Sequence, residues 1–331
     1  MANTTISTNN RLIDFRAKFF KEYVRTNRFS PYAGRAVNDV ICIKSGKEPT
    51  IRHPLVARLE GAGVSGSSSL RGNGEQLGNY SFDTNPTYYR HAVEFDKEEL
   101  DKTNMALMQE ASPLLRQWAM EQTRDRMLQA LGATFDGTTY RNLEDADNTA
   151  RDLYLTNNAD RIIFGANIAH GNDFSAGLDG VDSSADTLTG ARVSDMRELA
   201  ENADPHIRPF QTDEGSEVFV LFAGPKGFRD LKDDLTTNYS NADIRGGGAM
   251  TKNGNILFRD GDLFWDGVII RKVPEIAAVF TASGKTLDGV GASTIDVEPA
   301  FLCGAQALLW SLGQAPMIKV DREYDYGNQR S

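Results

Sequence analysis

A long segment rich in glycine and serine constrains the fold of this chain more than any other feature of its sequence. Ten of the eighteen residues from 61 to 78 are Gly or Ser, within a stretch of roughly 25 residues from Glu60 to Asn85. Loops of this length are uncommon inside compact domains, although the entropic cost of closing a loop grows only slowly with its length. The segment is therefore either disordered or an arm that is ordered by contact with another chain, and we favour the arm.

The stretches on either side of this segment alternate in polarity. Residues 51–59 place Ile51, Leu55 and Leu59 on one face and arginines on the other, which predicts a half-buried strand. A second alternating run at residues 88–95 is the predicted partner strand. Together they predict an extended hairpin over residues 51–95.

The first part of the chain is basic. Residues 1–60 contain eleven Lys and Arg against five Asp and Glu, so they carry +6; the whole chain carries −10, which leaves −16 for the rest. Within this region an amphipathic helix is predicted at residues 11–24, where Phe15, Phe19 and Phe20 belong to an apolar set with spacings of three and four. Such an arm suits the acidic surface of a neighbouring copy or nucleic acid. Sequence-independent DNA binding therefore stays open as an alternative function.

The clearest helix is predicted at residues 112–131. Ser112 fits the N-cap, Pro113 fits the first helical position, and the helix should end near Gly132. At 1.5 Å per residue it would be roughly 30 Å long. A polar run at residues 121–126 interrupts its apolar stripe, so these side chains must be exposed or must pair with another element.

The second half of the chain mixes strands and helices, which predicts an α+β fold. A hairpin turn is predicted at Asp260-Gly261, because both turn positions require a positive φ. The predicted strands cover residues 161–164, 218–222, 256–258, 263–265, 268–273, 276–281 and 317–326. The predicted helices lie near residues 193–200, after Pro225, and at residues 301–312.

Catalytic and cofactor motifs are weak. Residues 61–66 match GxGxxG literally, but no helix opens at the third glycine to face a pyrophosphate. Gly284-Lys285-Thr286 lacks the earlier glycine of a phosphate-binding loop and is interpreted as a turn. The four histidines are scattered, the acidic groups lack a calcium-loop pattern, and Cys42 and Cys303 are expected to be buried thiols. We predict no cofactor, no metal site and no enzymatic activity, with an enzyme of unknown type kept as a minor alternative.

The targeting signals are also absent. No stretch approaches the roughly 20 apolar residues of a membrane span, and the N-terminus lacks the pattern of a signal peptide. An intracellular product without a membrane partner is expected.

Five sequence blocks, taken in order and spacing, resemble one protein family. They are LRGNGEQL at residues 70–77, YRHAV at 89–93, LRQW at 115–118, FLCGAQAL at 301–308 and YDYGN at 324–328. The chain resembles the major capsid (coat) proteins of tailed bacteriophages, of the family typified by podophages that carry a giant virion RNA polymerase. Their shell fold is similar to that of the herpesvirus capsid floor.

The resemblance implies a tailed-phage capsid fold with a defined order of parts. Residues 1–50 would be an N-terminal arm, and residues 51–95 an extended hairpin loop that reaches over a neighbouring subunit. Residues 96–154 would be a peripheral domain with a long spine helix, residues 155–295 an axial domain, and residues 296–331 a return to the peripheral domain. Members of the family generally continue beyond the last block, so a trailing segment beyond Ser331 is also implied.

The resemblance further implies assembly as the function. Many copies, as pentamers and hexamers, would form an icosahedral shell that encloses double-stranded DNA without sequence-specific binding. A portal protein, and scaffolding and decoration proteins, are the implied partners, and assembly is expected in the cytoplasm of the bacterial host. The candidate subunit-interface residues are Phe15, Phe19, Phe20, Leu70, Glu75, Leu77, Arg116, Arg124 and Arg126. The alternatives are local packing for the phenylalanines, a solvated tip for the loop residues and a solvated helix face for the arginines.

Overall fold

The computed structural model describes residues 25–36, 38–46, 48–96, 107–135, 140–166, 170–211, 217–238, 262–319 and 329–330. The chain forms two units. Unit 1 comprises Met1–Asn27, Thr87–Gln122 and Ala315–Ser331, and unit 2 comprises Arg28–Pro86 and Thr123–Gln314. The helix predicted at residues 11–24, with Phe15, Phe19 and Phe20, lies outside the described residues.

Helices and strands are both distributed along the described chain. The α-helices are α1 (Leu107–Leu131), α2 (Asn148–Asn157), α3 (Phe174–Asp179), α4 (Gly190–Asn202) and α5 (Pro225–Asn238). The strands are β1 (Ala33–Gly34), β2 (Ile41–Ser45), β3 (Ile51–Val56), β4 (Asn79–Thr84), β5 (Phe95–Asp96), β6 (Thr134–Phe135), β7 (Tyr140–Arg141), β8 (Phe210–Gln211), β9 (Glu217–Ala223), β10 (Asp262–Trp265), β11 (Val268–Lys272), β12 (Phe301–Cys303), β13 (Leu308–Leu312) and β14 (Gln329–Arg330). The mixture confirms the predicted α+β class.

The largest sheet of unit 2 is built around β9. Its strand order is β10-β11-β9-β12, with β8 paired to β9, and β11 runs parallel to β9. Val220 and Phe222 pack into one apolar cluster, whereas Phe219 and Leu221 pack into a second cluster on the opposite face. A strand covered on both faces carries a continuous apolar run rather than an alternating one, which explains the sequence of β9.

The two clusters are covered by different helices. On the first face, the end of α1 contributes Met127 and Leu128, and α2 contributes Leu155. On the second face, α4 contributes Val193 and α5 contributes Leu231, and both side chains are fully buried. The helices predicted near residues 193–200 and after Pro225 are therefore confirmed, and both pack on the second face of the sheet.

Residues before the hairpin belong to the body of unit 2. Val40 and Ile41 are buried, and β2 pairs in parallel with β13. The ring of Phe29 lies 4.7 Å from that of Phe222. Phe29, Val40 and Ile41, which lie in the segment predicted as the N-terminal arm, thus pack in the core. The division into arm, hairpin, peripheral and axial parts stays a prediction.

Several predicted elements differ in the structure. Helix α1 covers Leu107–Leu131, so Ser112 is not its N-cap and Pro113 lies inside it; its end at Leu131 agrees with the prediction. Residues 161–164 do not form a strand, and Phe164 makes only an isolated bridge. Residues 277–281 form a π-helix rather than a strand. The helix predicted at residues 301–312 is instead two strands, β12 and β13.

The hairpin of the large sheet turns at a different Asp-Gly pair from the predicted one. Strands β10 and β11 are joined by Asp266 and Gly267, with φ of 45° and 71°. Asp-Gly suits such a two-residue turn because both positions need a positive φ. Asp260-Gly261 and the strand predicted at residues 256–258 lie outside the described residues, as does most of the strand predicted at residues 317–326.

The carboxylate of Glu298 caps α5 from a distant part of the chain. Its Oε2 accepts hydrogen bonds from the backbone N–H of Lys226 at 2.8 Å and of Gly227 at 3.0 Å. Lys226 Nζ also pairs with Asp296 at 2.9 Å. Burial raises the pKa of the Glu298 carboxyl above its ordinary value, and the two backbone donors offset this rise only in part.

This raised pKa predicts how stability changes with pH. The native chain holds the Glu298 proton more tightly than the unfolded chain does. This tighter binding makes its full contribution to the free energy of unfolding below the ordinary Glu pKa, and the contribution is lost as the pH rises through the folded-state pKa. Glu298→Gln carries no charge to bury. We expect its melting temperature, relative to wild type, to be higher at about pH 7 than at about pH 4. A change in the opposite direction in thermal unfolding would show that attraction to the helix N-terminus outweighs burial.

Candidate assembly interface

Strands β3 and β4 form a two-stranded hairpin in unit 2. Six residue pairs join them in antiparallel register, from Ile51 opposite Thr84 to Val56 opposite Asn79. The N–H of Ala57 donates to the carbonyl of Gly78 at 2.9 Å and extends the ladder by one pair. The partner strand is therefore residues 79–84, and the prediction that residues 88–95 pair with β3 is wrong.

One face of this hairpin is apolar and exposed. Directly opposite residues share a face, so Leu55 and Tyr80 lie together, and Phe82 lies beside His53. Leu55 is 62% exposed, Tyr80 63% and Phe82 44%. An isolated two-stranded hairpin is at best marginally stable in water. We name Leu55, Tyr80 and Phe82 the apolar hairpin face.

The opposite face is mainly polar. Arg52 and Asp83 form a two-pronged ion pair, with both N–O distances at 2.8 Å. This pairing and its hydrogen bonds lower the pKa of the Asp83 carboxyl. Val56 also lies on this face and is 59% exposed. The two faces therefore offer different surfaces to any neighbour, and Val56 provides an apolar side chain that is as exposed as Leu55.

The base of the hairpin is fixed to the body of unit 2. His53 Nε2 lies 3.0 Å from Thr84 Oγ1, which in turn lies 2.7 Å from Ser311 Oγ on β13. The ring of Phe82 meets that of Tyr140 edge-on, with the centroids 5.9 Å apart. These contacts set the direction in which the hairpin leaves the body.

The free edges of the two strands are not equivalent. Ala57 and Gly78 form a hydrogen-bonded pair, so alternation along the ladder makes Pro54 and Ser81 a non-hydrogen-bonded pair whose backbone groups face outward. Proline has no N–H to offer there, and proline at such a position blocks pairing with a further strand. The edge of β4 keeps its outward donors at Asn79, Ser81 and Asp83.

The loop beyond the hairpin, residues 57–78, forms no helix or strand, but it is internally bonded. Leu70 is 69% exposed and Leu77 61%, so two of the predicted interface residues are accessible. The N–H of Asn73 donates to the carbonyl of Leu70 at 3.1 Å, which forms a turn at the tip. Glu75 instead accepts hydrogen bonds from the backbone of its own loop. The structure therefore gives Glu75 partners within the subunit.

The three predicted arginines occupy different environments. Arg116, in unit 1, and Arg126, in unit 2, are exposed on α1. Arg124 is 8% exposed, and its guanidinium lies 2.9 Å from Asp125 and 3.5 Å from Glu275. Exposure of the polar run on α1 or its pairing with another element was predicted, and both occur, since Arg126 is exposed and Arg124 pairs with Glu275. The interface role predicted for Arg124 is not supported by this placement, because its own subunit already covers it.

Sequence reasoning missed Tyr80 and Phe82. The run from Asn79 to Thr84 alternates polar and apolar residues, which is the signal of a strand. That run was attributed to the loop because the more strongly alternating residues 88–95 follow it. In the structure, Tyr88 and Tyr89 are exposed in unit 1, and the rings of His91 and Trp118 stack with centroids 4.8 Å apart. Two of the family-like sequence blocks therefore meet at this ring pair.

The described residues contain neither a cluster of metal ligands nor a membrane-spanning helix. No group of three or more His, Cys, Asp or Glu side chains in those residues could hold a metal ion. None of the described helices is both long and apolar enough to cross a bilayer. Cys42 and Cys303 are buried free thiols, as predicted, and burial raises the pKa of Cys303 to about 12.

The main sheet is packed on both faces, and a long hairpin exposes apolar side chains. These features define a subunit built for association, in the fold of a bacteriophage capsid protein. The chain belongs to the phage capsid protein family, whose model matches residues 3–331. It is a major capsid protein that forms shells by self-assembly. The finer resemblance to podophages that carry a virion RNA polymerase stays a prediction.

Solved structures agree with this assignment. The chain is similar to the capsid subunit of cyanophage Pam1, with 33% identity, a TM-score of 0.86, and coverage of 100% of this chain and 91% of that one. The capsid of Ralstonia phage GP4 matches at 16% identity and a TM-score of 0.65, covering 99% and 90% of the two chains. The capsid of Helicobacter pylori bacteriophage KHP30 matches at 14% identity and 0.59, covering 100% and 87%. The last two show the fold alone. No curated protein sequence matches the chain significantly.

Proposed function

We propose that the apolar hairpin face docks on a neighbouring copy of this chain and that this contact drives shell formation. The observation that carries the proposal is the exposure of Leu55, Tyr80 and Phe82 on one face of a hairpin whose base is fixed to the body. Side chains of this size are normally buried, and a contiguous exposed apolar surface marks an interaction site. Family membership supplies the partner, because a capsid protein associates with copies of itself.

The energetics suit a shell made of many weak contacts. Burying one large apolar side chain contributes about 1.5–3 kcal/mol, and association costs several kcal/mol in lost freedom. A single hairpin contact is therefore weak. In a closed shell each subunit engages several neighbours at once, and multivalency makes the whole stable. A wrongly placed subunit can then dissociate while only one of its contacts has formed.

The finer features of the particle are part of the same proposal. Pentamers and hexamers would close an icosahedral shell around double-stranded DNA in the host cytoplasm, with a portal and with scaffolding or decoration proteins. The charge of −16 outside residues 1–60 supports enclosure without adhesion, because DNA-wrapping surfaces are basic. We propose a structural role without catalysis. Salt-dependent DNA binding by the free subunit would instead favour the DNA-binding alternative.

The two faces of β3 provide a matched test. Leu55→Ser removes an exposed apolar side chain from the docking face, and Val56→Ser removes one of similar exposure from the other face. Neither change should alter subunit stability by more than about 0.5 kcal/mol, because both sites are exposed. We expect Leu55→Ser to reduce the yield of shells in sedimentation and electron microscopy and Val56→Ser to leave it near wild type. Equal yields for the two variants would contradict docking through this face.

A further inference from the structure

The neck of the hairpin loop is closed by one carboxylate. Glu75 Oε1 accepts a hydrogen bond from the N–H of Glu60 at 2.7 Å, and Oε2 accepts one from the N–H of Gly61 at 2.8 Å. Gly61 and Glu60 lie fourteen and fifteen residues before Glu75 in the sequence. Hydrogen bonds from backbone donors to an ionised acceptor are about twice as strong as neutral ones. The neck is therefore held by a two-pronged contact rather than by apolar packing.

Gly61 lies in close steric contact with this carboxylate. A Cβ atom at position 61 would lie 2.6 Å from Glu75 Oε2, closer than van der Waals contact allows. The carboxylate, at the end of a flexible side chain, would have to shift, and its hydrogen bond with the N–H of residue 61 would be weakened. Gly74 lies in the same loop, but a Cβ there would meet nothing within 4 Å. Of these two glycines, only Gly61 lies close enough for a Cβ to disturb the carboxylate.

The neck is also connected to the body of unit 2. Arg58 donates to Asp204 at 2.8 Å and lies 3.5 Å from the side chain of Glu60. Exposed ion pairs of this kind contribute little to stability by themselves. Here these ion pairs connect Glu60, whose N–H donates to Glu75, to the body of unit 2. The series of contacts therefore runs from Asp204 through Arg58 and Glu60 to Glu75. The arrangement restrains the loop without burying it.

We propose that Glu75 is a positioning residue for assembly: it holds the neck of the loop before docking through the backbone of Glu60 and Gly61, and it does not itself contact the neighbouring subunit. This inference rests on the proposed function, in which the hairpin docks on a second copy. Ordering a loop in advance removes part of the entropic cost of association. Leu70 and Leu77 are then presented in one arrangement instead of many.

The test is a double-mutant cycle on the full-length chain. Glu75→Ala should accelerate amide exchange at position 61 in the free subunit by about tenfold, the factor for losing one charge-assisted hydrogen bond, and Gly61→Ala should accelerate it by a smaller factor relative to the intrinsic rate of an alanine amide. Both should slow shell formation, while Gly74→Ala should do neither. The double variant should be no worse than Glu75→Ala alone, because the steric conflict disappears with the carboxylate.

The outcomes separate this inference from the proposed function. If Glu75 contacted the neighbour directly, Glu75→Ala would impair assembly with unchanged exchange at Gly61, and the effect of Gly61→Ala would add to it; this result would overturn the inference alone. If exchange rose in both variants but shells formed at the wild-type rate, the neck would have no part in assembly, and the inference would again be wrong. Failure of hairpin docking itself would be seen separately, as wild-type assembly by Leu55→Ser.

Discussion

A chain lacking residues 61–78 is expected to fold normally and to form no shells. The deletion removes the loop but leaves both strands of the hairpin, and Ala57–Glu60 would become a four-residue connection between Val56 and Asn79, a length common in hairpins. No residue in the deleted range belongs to either core cluster. The melting temperature should therefore stay within a few degrees of wild type, whereas closed shells should be undetectable by sedimentation and electron microscopy.

The matched control is a double substitution that keeps the loop length. Leu70→Ser with Leu77→Ser removes the exposed apolar side chains and leaves the neck contacts of Glu75 intact. This variant should fold and should assemble to a reduced yield. A deleted chain that failed to fold would show that the loop is part of the core. A deleted chain that still formed shells would show that the loop is dispensable for docking.

Replacing Arg124 with Met is expected to destabilise the subunit strongly. The guanidinium and the Glu275 carboxylate are both buried, with side-chain exposures of 9% and 5%. Removing one charge of a buried pair costs about 3–5 kcal/mol, because the remaining charge stays desolvated. The melting temperature should fall by roughly 10 °C in a domain of this size, as measured by calorimetry on the subunit.

The reciprocal variant distinguishes an internal role from an interface role for Arg124. Glu275→Gln in the Arg124→Met background removes the second charge, so part of the lost stability should return. Arg126→Met, which changes an exposed residue of the same helix, should have little effect on unfolding. If Arg124→Met kept its melting temperature and failed only in assembly, Arg124 would be an interface residue, as its sequence position first suggested.

The sequence predicted the hairpin as a feature but assigned its second strand to the wrong residues. Period-two alternation located β3 correctly at Ile51–Val56. It could not choose between residues 79–84 and 88–95 as the partner, because both alternate and register depends on the turn and on burial. The apolar hairpin face was missed for this reason. Leu70 and Leu77, which lie in a recognisable block, were found.

Two further errors, the helix predicted at residues 301–312 and the interface role predicted for Arg124, have different physical origins. Periodicity alone cannot tell a buried strand from a buried helix, and residues 301–312 are such a run. The structure divides this run at Gly304, where a Cβ would meet the carbonyl of Arg208, so that close approach of two backbones interrupts a helix there. The burial of Arg124 depends on Glu275, which is 151 residues away in sequence. No local pattern could have revealed that pair.

The most direct test of the central claim is a cryo-electron microscopy reconstruction of shells assembled from the full chain, at a resolution that traces residues 51–84. We expect Leu55, Tyr80 and Phe82 to be buried against the body of an adjacent subunit, with the Glu75 contacts at the neck unchanged from the free subunit. Shells in which this face points into solvent, while subunits meet through other surfaces, would contradict the account.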